Sequence, residues 1–172
     1  PITISFSSLD GSKNIINNGS LGSIFCNYKY DPGNNYLKEI LLSGYCLYGT
    51  KTILVTSDGK LAKQHFLNKN NEFEQINDIN IADKNNNMYS MNLSNSYDKD
   101  MTILIQHFNR NNYNLRWIGS MVADCHQVLV KGGVFLYPMC NEYPSGRLNF
   151  LIQVLPLCFV FKGAGGVGIV GN

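Results

Sequence analysis

The feature that most constrains the fold of this chain is an alternation of short apolar segments with two different periods, separated by polar turns. Near the amino terminus Ile2, Ile4 and Phe6 alternate with small polar residues, which is the two-residue period of a β-strand. Residues 118–129 instead place apolar side chains every three or four positions, which is the period of a helix packed along one face. Segments of both kinds recur along the chain, and they predict an α/β domain of mixed sheet flanked by helices.

The other segments extend this pattern. Strands are predicted at residues 23–30, 51–56, 134–137 and 147–153, with short meander strands at 65–67 and 73–76. Helices are predicted at residues 37–48, with Asn34 or Asn35 as N-cap, and from Pro156 to Gly163. The helix at 118–129 should end at the glycine pair 132–133, and the acidic and basic residues at 98–100 indicate a solvated loop. Without an internal repeat or a linker, residues 1–172 are predicted to form a single domain.

Composition excludes several classes of protein. The 172 residues are 44% hydrophobic, which is ample for one buried core, and the net charge is only +2. Such a balance provides no field for binding nucleic acid or a membrane surface. Five cysteines without C-x-x-C spacing indicate reduced thiols and a cytoplasmic location rather than disulfides or zinc. The sequence contains no run of about 18 apolar residues that could span a bilayer.

The glycine-rich segment GAGGVG at residues 163–168 matches the G-x-G-x-x-G pattern of dinucleotide-binding loops. That pattern needs a strand before it, a helix after it and an acid further on for the ribose. The four residues that follow supply neither the helix nor the acid. The glycines are therefore interpreted as the cap of the preceding helix.

Several segments together resemble class I fructose-1,6-bisphosphatases. In order, they are LDGSKNI, GSIF, SGYCLYG, MYSMN, RWIGSMVADCHQVLVKGGVFLYP, PSGRLNFL and FKGAGG. The family belongs to the magnesium-dependent, lithium-sensitive sugar-phosphate phosphatases. The resemblance covers nearly the whole chain but matches only the carboxyl-terminal half of the family's subunits. It implies a layered α/β sandwich of the sugar-phosphatase type and a role in the sugar-phosphate hydrolysis of gluconeogenesis.

The resemblance also identifies a metal site, and two of its acids are replaced. The family's signature D-P-L-D-G-[ST] provides two metal-binding acids, and a further metal-binding glutamate lies at the end of a later strand. Here Ser7 stands at the first acid and Gln153 at the glutamate. Magnesium prefers carboxylate oxygens, so the substitutions predict a weakened site, with Mg²⁺ as cofactor if the chain is active and none if it is not. The signature residues kept are Leu9 and Asp10 as metal ligands, with Asp10 also catalytic, and Gly11 and Ser12 for the leaving phosphate.

The site for the distal phosphate of the sugar is better preserved by the same resemblance. The family uses an asparagine, three tyrosines, a lysine and an arginine from the neighbouring subunit. Asn95 and Trp117 stand where the family has two of the tyrosines, and Arg147 stands where it has the lysine. Arginine binds phosphate through a fork of donors, so this exchange preserves the chemistry. The predicted substrate-binding residues are Asn92, Arg116, Met121, Tyr137 and Arg147.

Each of these residues also has a purely structural interpretation. Asp10 before Gly-Ser is typical of a turn acid, and Met121 fits the core stripe of its helix. Arg116 and Arg147 fit ordinary surface cations. His126 is placed on the exposed side of its helix and fits a surface or partly packed histidine, and the remaining two histidines, His65 and His107, have no acid or cysteine partner pattern.

Three functions remain open from the sequence. The first is a degenerate relative that keeps the fold and part of the site for fructose 1,6-bisphosphate or fructose 6-phosphate, has lost hydrolysis, and acts as a binding, scaffold or partner subunit. The second is a working magnesium-dependent fructose-1,6-bisphosphatase whose missing acids come from elsewhere. The third is a structural subunit of an assembly. A sheet that normally continues into another half would leave an apolar face uncovered, so a homo-oligomer or a partner chain is expected.

Overall fold

The computed structural model describes residues 1–33, 36–81, 84, 86–93 and 99–169, except for the side chain of Tyr36. These residues form two sheets and three α-helices, with a 3₁₀ turn and a π-helical turn. The predicted class of an α/β layered fold with mixed strand directions is confirmed.

The first sheet is an antiparallel meander of six strands that pair in chain order. Its strands are β1 (Ile2–Asp10), β2 (Leu21–Asp31), β3 (Tyr36–Tyr48), β4 (Thr52–Ser57), β5 (Ala62–Leu67) and β6 (Phe73–Ile79). Strand β1 lies at one edge, and a bulge between Ser7 and Asp10 interrupts its pairing with β2. Bulges bend a strand and change the direction of its side chains, here just before the predicted metal and phosphate loop.

The second sheet is parallel and is built from two crossover units. Its strands are β7 (Met88–Met91), β8 (Asn114–Leu115) and β9 (Val134–Leu136), in the order β8-β7-β9. Helix α1 (Lys99–Arg110) connects β7 to β8, and helix α2 (Met121–Lys131) connects β8 to β9. Parallel neighbours need such crossovers, because a tight turn can only reverse the chain.

The elements stack in layers around α2. Helices α2 and α3 (Leu155–Gly163) pack on the first sheet, and α2 also contacts the second sheet. Helix α1 packs on the parallel sheet through Phe108, whose ring stacks on Tyr89 with centroids 4.6 Å apart. No helix in the described ranges is long and apolar enough to cross a bilayer. The main core contains Ile24, Tyr45, Val55, Val122, Leu129 and Val160.

The helix predicted at residues 37–48 is wrong, because this segment is strand β3. The strand pairs with β2 along most of its length and with β4 over residues 43–48, so hydrogen bonding to neighbouring strands outweighs an apolar spacing compatible with a helix. Gly44 shows how tight this pairing is, since a Cβ there would meet the Phe25 ring and the carbonyl oxygen of Val55. The two asparagines predicted as its N-cap, Asn34 and Asn35, lie outside the described residues.

Two further predictions fail in the second half of the chain. Residues 147–153 do not form a strand, because Phe150–Val154 is a π-helical turn that leads into α3. The segment at 98–100 is not only a loop, because α1 begins at Lys99 and has Asp100 in its first turn, where an acid is favourable; position 98 is not described. In contrast, α3 carries Pro156 in its first turn and ends at Gly163, and α2 ends just before Gly132, as predicted.

Candidate functional site

Three predicted substrate-binding residues follow the three strands of the parallel sheet. Asn92 comes directly after β7, Arg116 after β8 and Tyr137 after β9. The register pairs Met91 with Leu136, so the next residues of β7 and β9 emerge side by side. The carboxyl ends of parallel strands are where open α/β sheets bind ligands. The fold therefore gathers at one edge residues that are far apart in the sequence.

The contacts at this edge connect two of the three residues directly. The Asn92 amide donates to the hydroxyl of Tyr137 at 3.3 Å, and the Trp117 ring lies 6.3 Å from the Tyr137 ring, centroid to centroid. Arg116 donates its backbone N–H to the carbonyl of Tyr89 at 2.9 Å, while its side chain is exposed. The edge thus presents an amide, a phenol and a cation, a group of donors suited to a phosphate.

Asp10 lies at the amino terminus of α2, where it caps the helix. One of its carboxylate oxygens, Oδ2, accepts from the Ser120 hydroxyl at 2.6 Å and from the Val122 backbone N–H at 3.0 Å. Ser120 is the N-cap residue and in turn accepts from the Ala123 N–H at 3.3 Å. A carboxylate at a helix amino terminus satisfies free N–H groups and interacts favourably with the helix dipole.

The loop after Asp10 also packs against and hydrogen-bonds to the segment that precedes α2. Gly11 has φ of 75°, and a Cβ at this position would lie 2.6 Å from the Cβ of Ser120, so only glycine fits. Ser12 begins a 3₁₀ turn, and the Asn14 amide donates to the carbonyl of Ile118 at 3.2 Å. The predicted phosphate loop and the Arg116 segment are therefore joined near the start of α2.

The described residues do not fit a magnesium ion at the predicted metal site. Ser7 of β1 pairs with Ile24 of β2 and offers only a hydroxyl. Leu9 is 43% exposed. The side-chain oxygen of Gln153 accepts from the Asn149 backbone N–H at 2.9 Å, so it caps the π-helical turn that carries it. The part of the chain that the structure describes contains no group of three or more His, Cys, Asp or Glu side chains placed to hold a metal. Asp10 is the single acid among the predicted metal ligands, and its Oδ2 atom accepts a hydrogen bond from the backbone of α2.

Met121 and Arg147 have contacts that match their structural interpretations. Met121 is the first residue of α2 and is buried in the main core. Arg147 is exposed, and its guanidinium lies 5.1 Å from the centroid of the Tyr143 ring, the geometry of a cation–π contact. This contact does not link Arg147 to the Asn92–Tyr137 pair.

His126 is partly packed, one of the two environments predicted for it. It is half-buried, and its Nδ1 atom lies 2.9 Å from the hydroxyl of the fully buried Tyr45. Burial lowers the pKa of His126 to about 4, so the ring is neutral at pH 7, and either the tyrosine hydroxyl or Nδ1 donates in this hydrogen bond according to the tautomer. The pair joins α2 to β3 and belongs to the packing between helix and sheet.

A buried acid beside the candidate site was not predicted from the sequence. Asp124 lies in α2 with no exposed surface and accepts from Ser90 in β7 and from the backbone of Ile118 and Gly119. The signal in the sequence is an acid that lies among the apolar residues of a helix. A buried acid needs several hydrogen-bond donors, so such a residue indicates a polar contact inside the fold. Helix α1 was also not predicted, although its sequence shows the apolar spacing of a helix at Met101, Leu104, Ile105 and Phe108.

The segment before GAGGVG is helix α3, and the dinucleotide pattern requires a strand there. The helix ends at Gly163, the first of these glycines, and the following residue, Ala164, is its C-cap. The interpretation as a helix terminus is confirmed for this part of the segment.

Comparisons with known proteins agree with the resemblance found in the sequence. The family described as the C-terminal domain of fructose-1,6-bisphosphatase matches residues 81–172. Fructose-1,6-bisphosphatase class 1 of Campylobacter hominis is 34% identical over 168 residues, covering 95% of this chain and 58% of the relative. Fructose-1,6-bisphosphatase 1 of Rattus norvegicus is 35% identical over 188 residues, covering 98% and 51%.

The similarity extends to solved structures. The crystal structure of Leishmania major fructose-1,6-bisphosphatase in the T-state matches with a TM-score of 0.91 at 30% identity, covering 99% of this chain and 60% of that one. The holo form of the same enzyme matches with a TM-score of 0.88 and covers 95% and 56%. The chain thus spans little more than half the length of the proteins it matches. It belongs to the fructose-1,6-bisphosphatase family and corresponds to the carboxyl-terminal part of that fold.

Proposed function

We propose that this chain is a fructose-1,6-bisphosphatase-like protein that binds a sugar phosphate and has lost hydrolysis. The ligand is fructose 1,6-bisphosphate or fructose 6-phosphate, held at the carboxyl ends of the parallel strands. The observation that carries the proposal is the contrast between the two parts of the site. The edge with Asn92, Arg116 and Tyr137 offers donors for a phosphate, whereas Asp10 and Gln153 are used as helix caps.

The physical argument for lost hydrolysis is a shortage of negative charge. Hydrolysis of a phosphate monoester needs divalent ions that neutralise the phosphoryl oxygens and activate water. Magnesium is held mainly by carboxylates, and Ser7 and Gln153 supply none. Changes that only surround a metal site already cost about 10- to 100-fold in affinity or activity, so the loss of two ligands should cost more.

Two other functions are compatible with particular features. An active magnesium-dependent enzyme is favoured by the retained Asp10-Gly11-Ser12 loop at the start of α2, if further acids come from another polypeptide. A structural subunit is favoured by exposed apolar side chains on β1, at Ile2, Ile4 and Phe6. We further propose that residues 1–172 fold as one domain in a homo-oligomer or with a partner chain.

A cytoplasmic location is part of the same proposal. The relatives include a protein named fructose-1,6-bisphosphatase, cytosolic, from Arabidopsis thaliana, 36% identical over 188 residues. The five cysteines are all free thiols, which suits a reducing compartment.

The deciding experiment measures binding and hydrolysis separately. Calorimetric titration of the purified chain with fructose 6-phosphate should show binding that Asn92→Ala or Tyr137→Phe weakens about tenfold, since each removes one of the hydrogen-bonding groups. Magnesium-dependent phosphate release from fructose 1,6-bisphosphate should be absent. The double variant S7D/Q153E should gain it, because both metal acids are restored.

The possible outcomes separate the three functions. Turnover by the natural chain, abolished by Asp10→Ala, would contradict the loss of hydrolysis and support an active enzyme. Absence of both binding and turnover would leave the structural role. The matched control is Asp58→Asn, which changes an acid in the turn between β4 and β5, outside the proposed site, and should alter neither measurement.

A further inference from the structure

The carboxylate of Asp124 receives four hydrogen bonds inside the protein. The Ser90 hydroxyl donates to Oδ1 at 2.7 Å, and the Ile118 backbone N–H donates to the same oxygen at 2.9 Å. The Gly119 backbone N–H donates to Oδ2 at 3.0 Å, and the Gln127 amide donates to Oδ1 at 3.2 Å. The residue has no exposed surface, so these donors replace the water that it loses on folding.

Three of the four donors come from the segments that carry the candidate site. Ser90 lies in β7, two residues before Asn92. Ile118 and Gly119 belong to the stretch that directly follows Arg116 and leads into α2. Asp124 therefore joins, through one side chain, the end of one parallel strand to the loop after its neighbour.

Two opposing effects act on the protonation of this carboxylate. Burial raises the pKa of Asp124, and the hydrogen bonds from Ser90, Ile118 and Gly119 oppose that rise. Two of its partners are backbone N–H groups that can only donate, one to each carboxylate oxygen, so an amide side chain would place its NH₂ group against one of them. The contact is consequently sensitive to the change from aspartate to asparagine, although the two side chains have nearly the same shape.

We propose that Asp124 is a positioning residue for the phosphate-binding edge, which fixes the loop of Arg116 and Trp117 relative to Asn92. This inference rests on the proposed function, because it assumes that the edge binds a sugar phosphate. Asp124 does not itself face the ligand. It acts by holding Ile118 and Gly119, and thereby sets the distance between donors that must reach one phosphate together.

Trp117 provides a direct readout of this positioning. It is the single tryptophan of the sequence, it is 39% exposed, and it lies two residues before Gly119. Its fluorescence therefore reports on the loop that Asp124 holds. In Asp124→Asn, quenching of Trp117 by acrylamide without ligand should rise about twofold, and the dissociation constant for fructose 6-phosphate should rise about tenfold.

The matched control is Asp58→Asn. Asp58 also accepts two backbone N–H bonds through its carboxylate, from Lys60 and Leu61, but it does so in the turn between β4 and β5. The same chemical change there should leave both the quenching and the binding unchanged. A loss of stability in Asp124→Asn would appear in its unfolding transition, which is measured separately from the quenching of Trp117 in the folded protein.

The quenching measurement and the binding measurement test the two proposals separately. Unchanged Trp117 quenching in folded Asp124→Asn overturns the positioning role, whether or not the ligand binds. Absence of fructose 6-phosphate binding by the natural chain contradicts the proposed function, while the quenching of the ligand-free protein still tests Asp124. If Asp124→Asn does not fold, hydrogen exchange in the natural chain decides. The Ile118 and Gly119 amides should exchange at least about tenfold more slowly than in an unstructured peptide, and exchange at the unstructured rate overturns the inference.

Discussion

At the scale of single residues, the chain shows how the chemistry of a carboxylate depends on what surrounds it. The same Asp10 that the family resemblance assigns to a metal is used here to cap α2 through Ser120 and Val122. Gln153 stands at a metal-acid position, yet its side chain satisfies the Asn149 N–H at the start of the π-helical turn. Both side chains satisfy backbone or hydroxyl donors that would otherwise lack partners.

The cap predicts a measurable cost for removing Asp10. Asp10→Ala should lower the free energy of unfolding by about 1–2 kcal/mol, because the Val122 N–H and the Ser120 hydroxyl lose their acceptor. Urea denaturation followed by circular dichroism measures this difference. Millimolar MgCl₂ should stabilise the natural chain no more than it stabilises the variant.

Stabilisation by magnesium in the natural chain alone would show that Asp10 binds the metal and would contradict its description as a cap only. Glu72→Gln serves as the control for loss of an acid. Glu72 lies on the turn between β5 and β6, where its backbone N–H and carbonyl both bond to Asn68, and its replacement should change stability by less than about 0.5 kcal/mol.

At the scale of elements, α2 organises the molecule. It packs on the antiparallel sheet, contacts the parallel sheet and begins at the candidate site. Its buried face combines apolar side chains with polar ones, of which His126 and Asp124 are the main examples. The hydrogen bond between the Tyr45 hydroxyl and His126 ties this helix to β3.

This contact predicts a stability that depends on pH. The folded-state pKa of His126 is about 4, below its ordinary value of 6.5, so the unfolded chain binds the proton more readily between these values. The contribution of neutral His126 to the free energy of unfolding is complete above pH 6.5 and is lost as the pH falls toward 4. For a single group with these pKa values, lowering the pH from 7 to 5 should reduce the free energy of unfolding by about 2 kcal/mol.

The measurement is urea unfolding at pH 7 and pH 5 for the natural chain and for His126→Gln. The difference between the two proteins isolates the histidine from Asp124, whose raised pKa acts in the opposite direction at lower pH. An equal loss of stability in both proteins would contradict the role assigned to His126. Tyr45→Phe should destabilise the chain at pH 7 and leave the sign of the pH dependence unchanged.

At the scale of the whole molecule, the sheet of six strands has an apolar edge exposed to solvent. Ile2, Ile4 and Phe6 alternate along β1 and are each about 60% exposed. β1 is an edge strand with β2 as its single partner among the described strands. An edge strand that also exposes apolar side chains is a site for association with another polypeptide.

We expect the purified chain to associate with itself through this edge. The double variant Ile4→Lys/Phe6→Lys should shift sedimentation velocity profiles toward the monomer, because lysines on an edge strand oppose pairing and cover apolar surface with charge. Ile16→Lys is the matched control. Ile16 is 93% exposed and lies in the loop before β2, so its replacement should leave the profile unchanged.

A monomeric natural chain at high concentration would contradict self-association through β1. A profile that both variants change equally would show that added positive charge, rather than the β1 edge, is responsible.

The sequence by itself was sufficient for the family, the layered α/β class and the elements whose ends carry strong local signals. Glycine at 132 and proline at 156 restrict the backbone directly, so the end of α2 and the start of α3 could be predicted from neighbouring residues. The replacements Ser7 and Gln153 are likewise visible in the sequence, because the residue type limits which ligand atoms exist.

The tertiary structure decided what depends on partners distant in the chain. Residues 37–48 have a spacing that suits a helix or a strand, and pairing with β2 and β4 selects the strand. The uses of Asp10 and Asp124 were decided in the same way, since their hydrogen-bond donors come from Ser120 and Ser90, 110 and 34 residues away. Local sequence specifies which groups a side chain carries, and only the folded chain determines which other groups they meet.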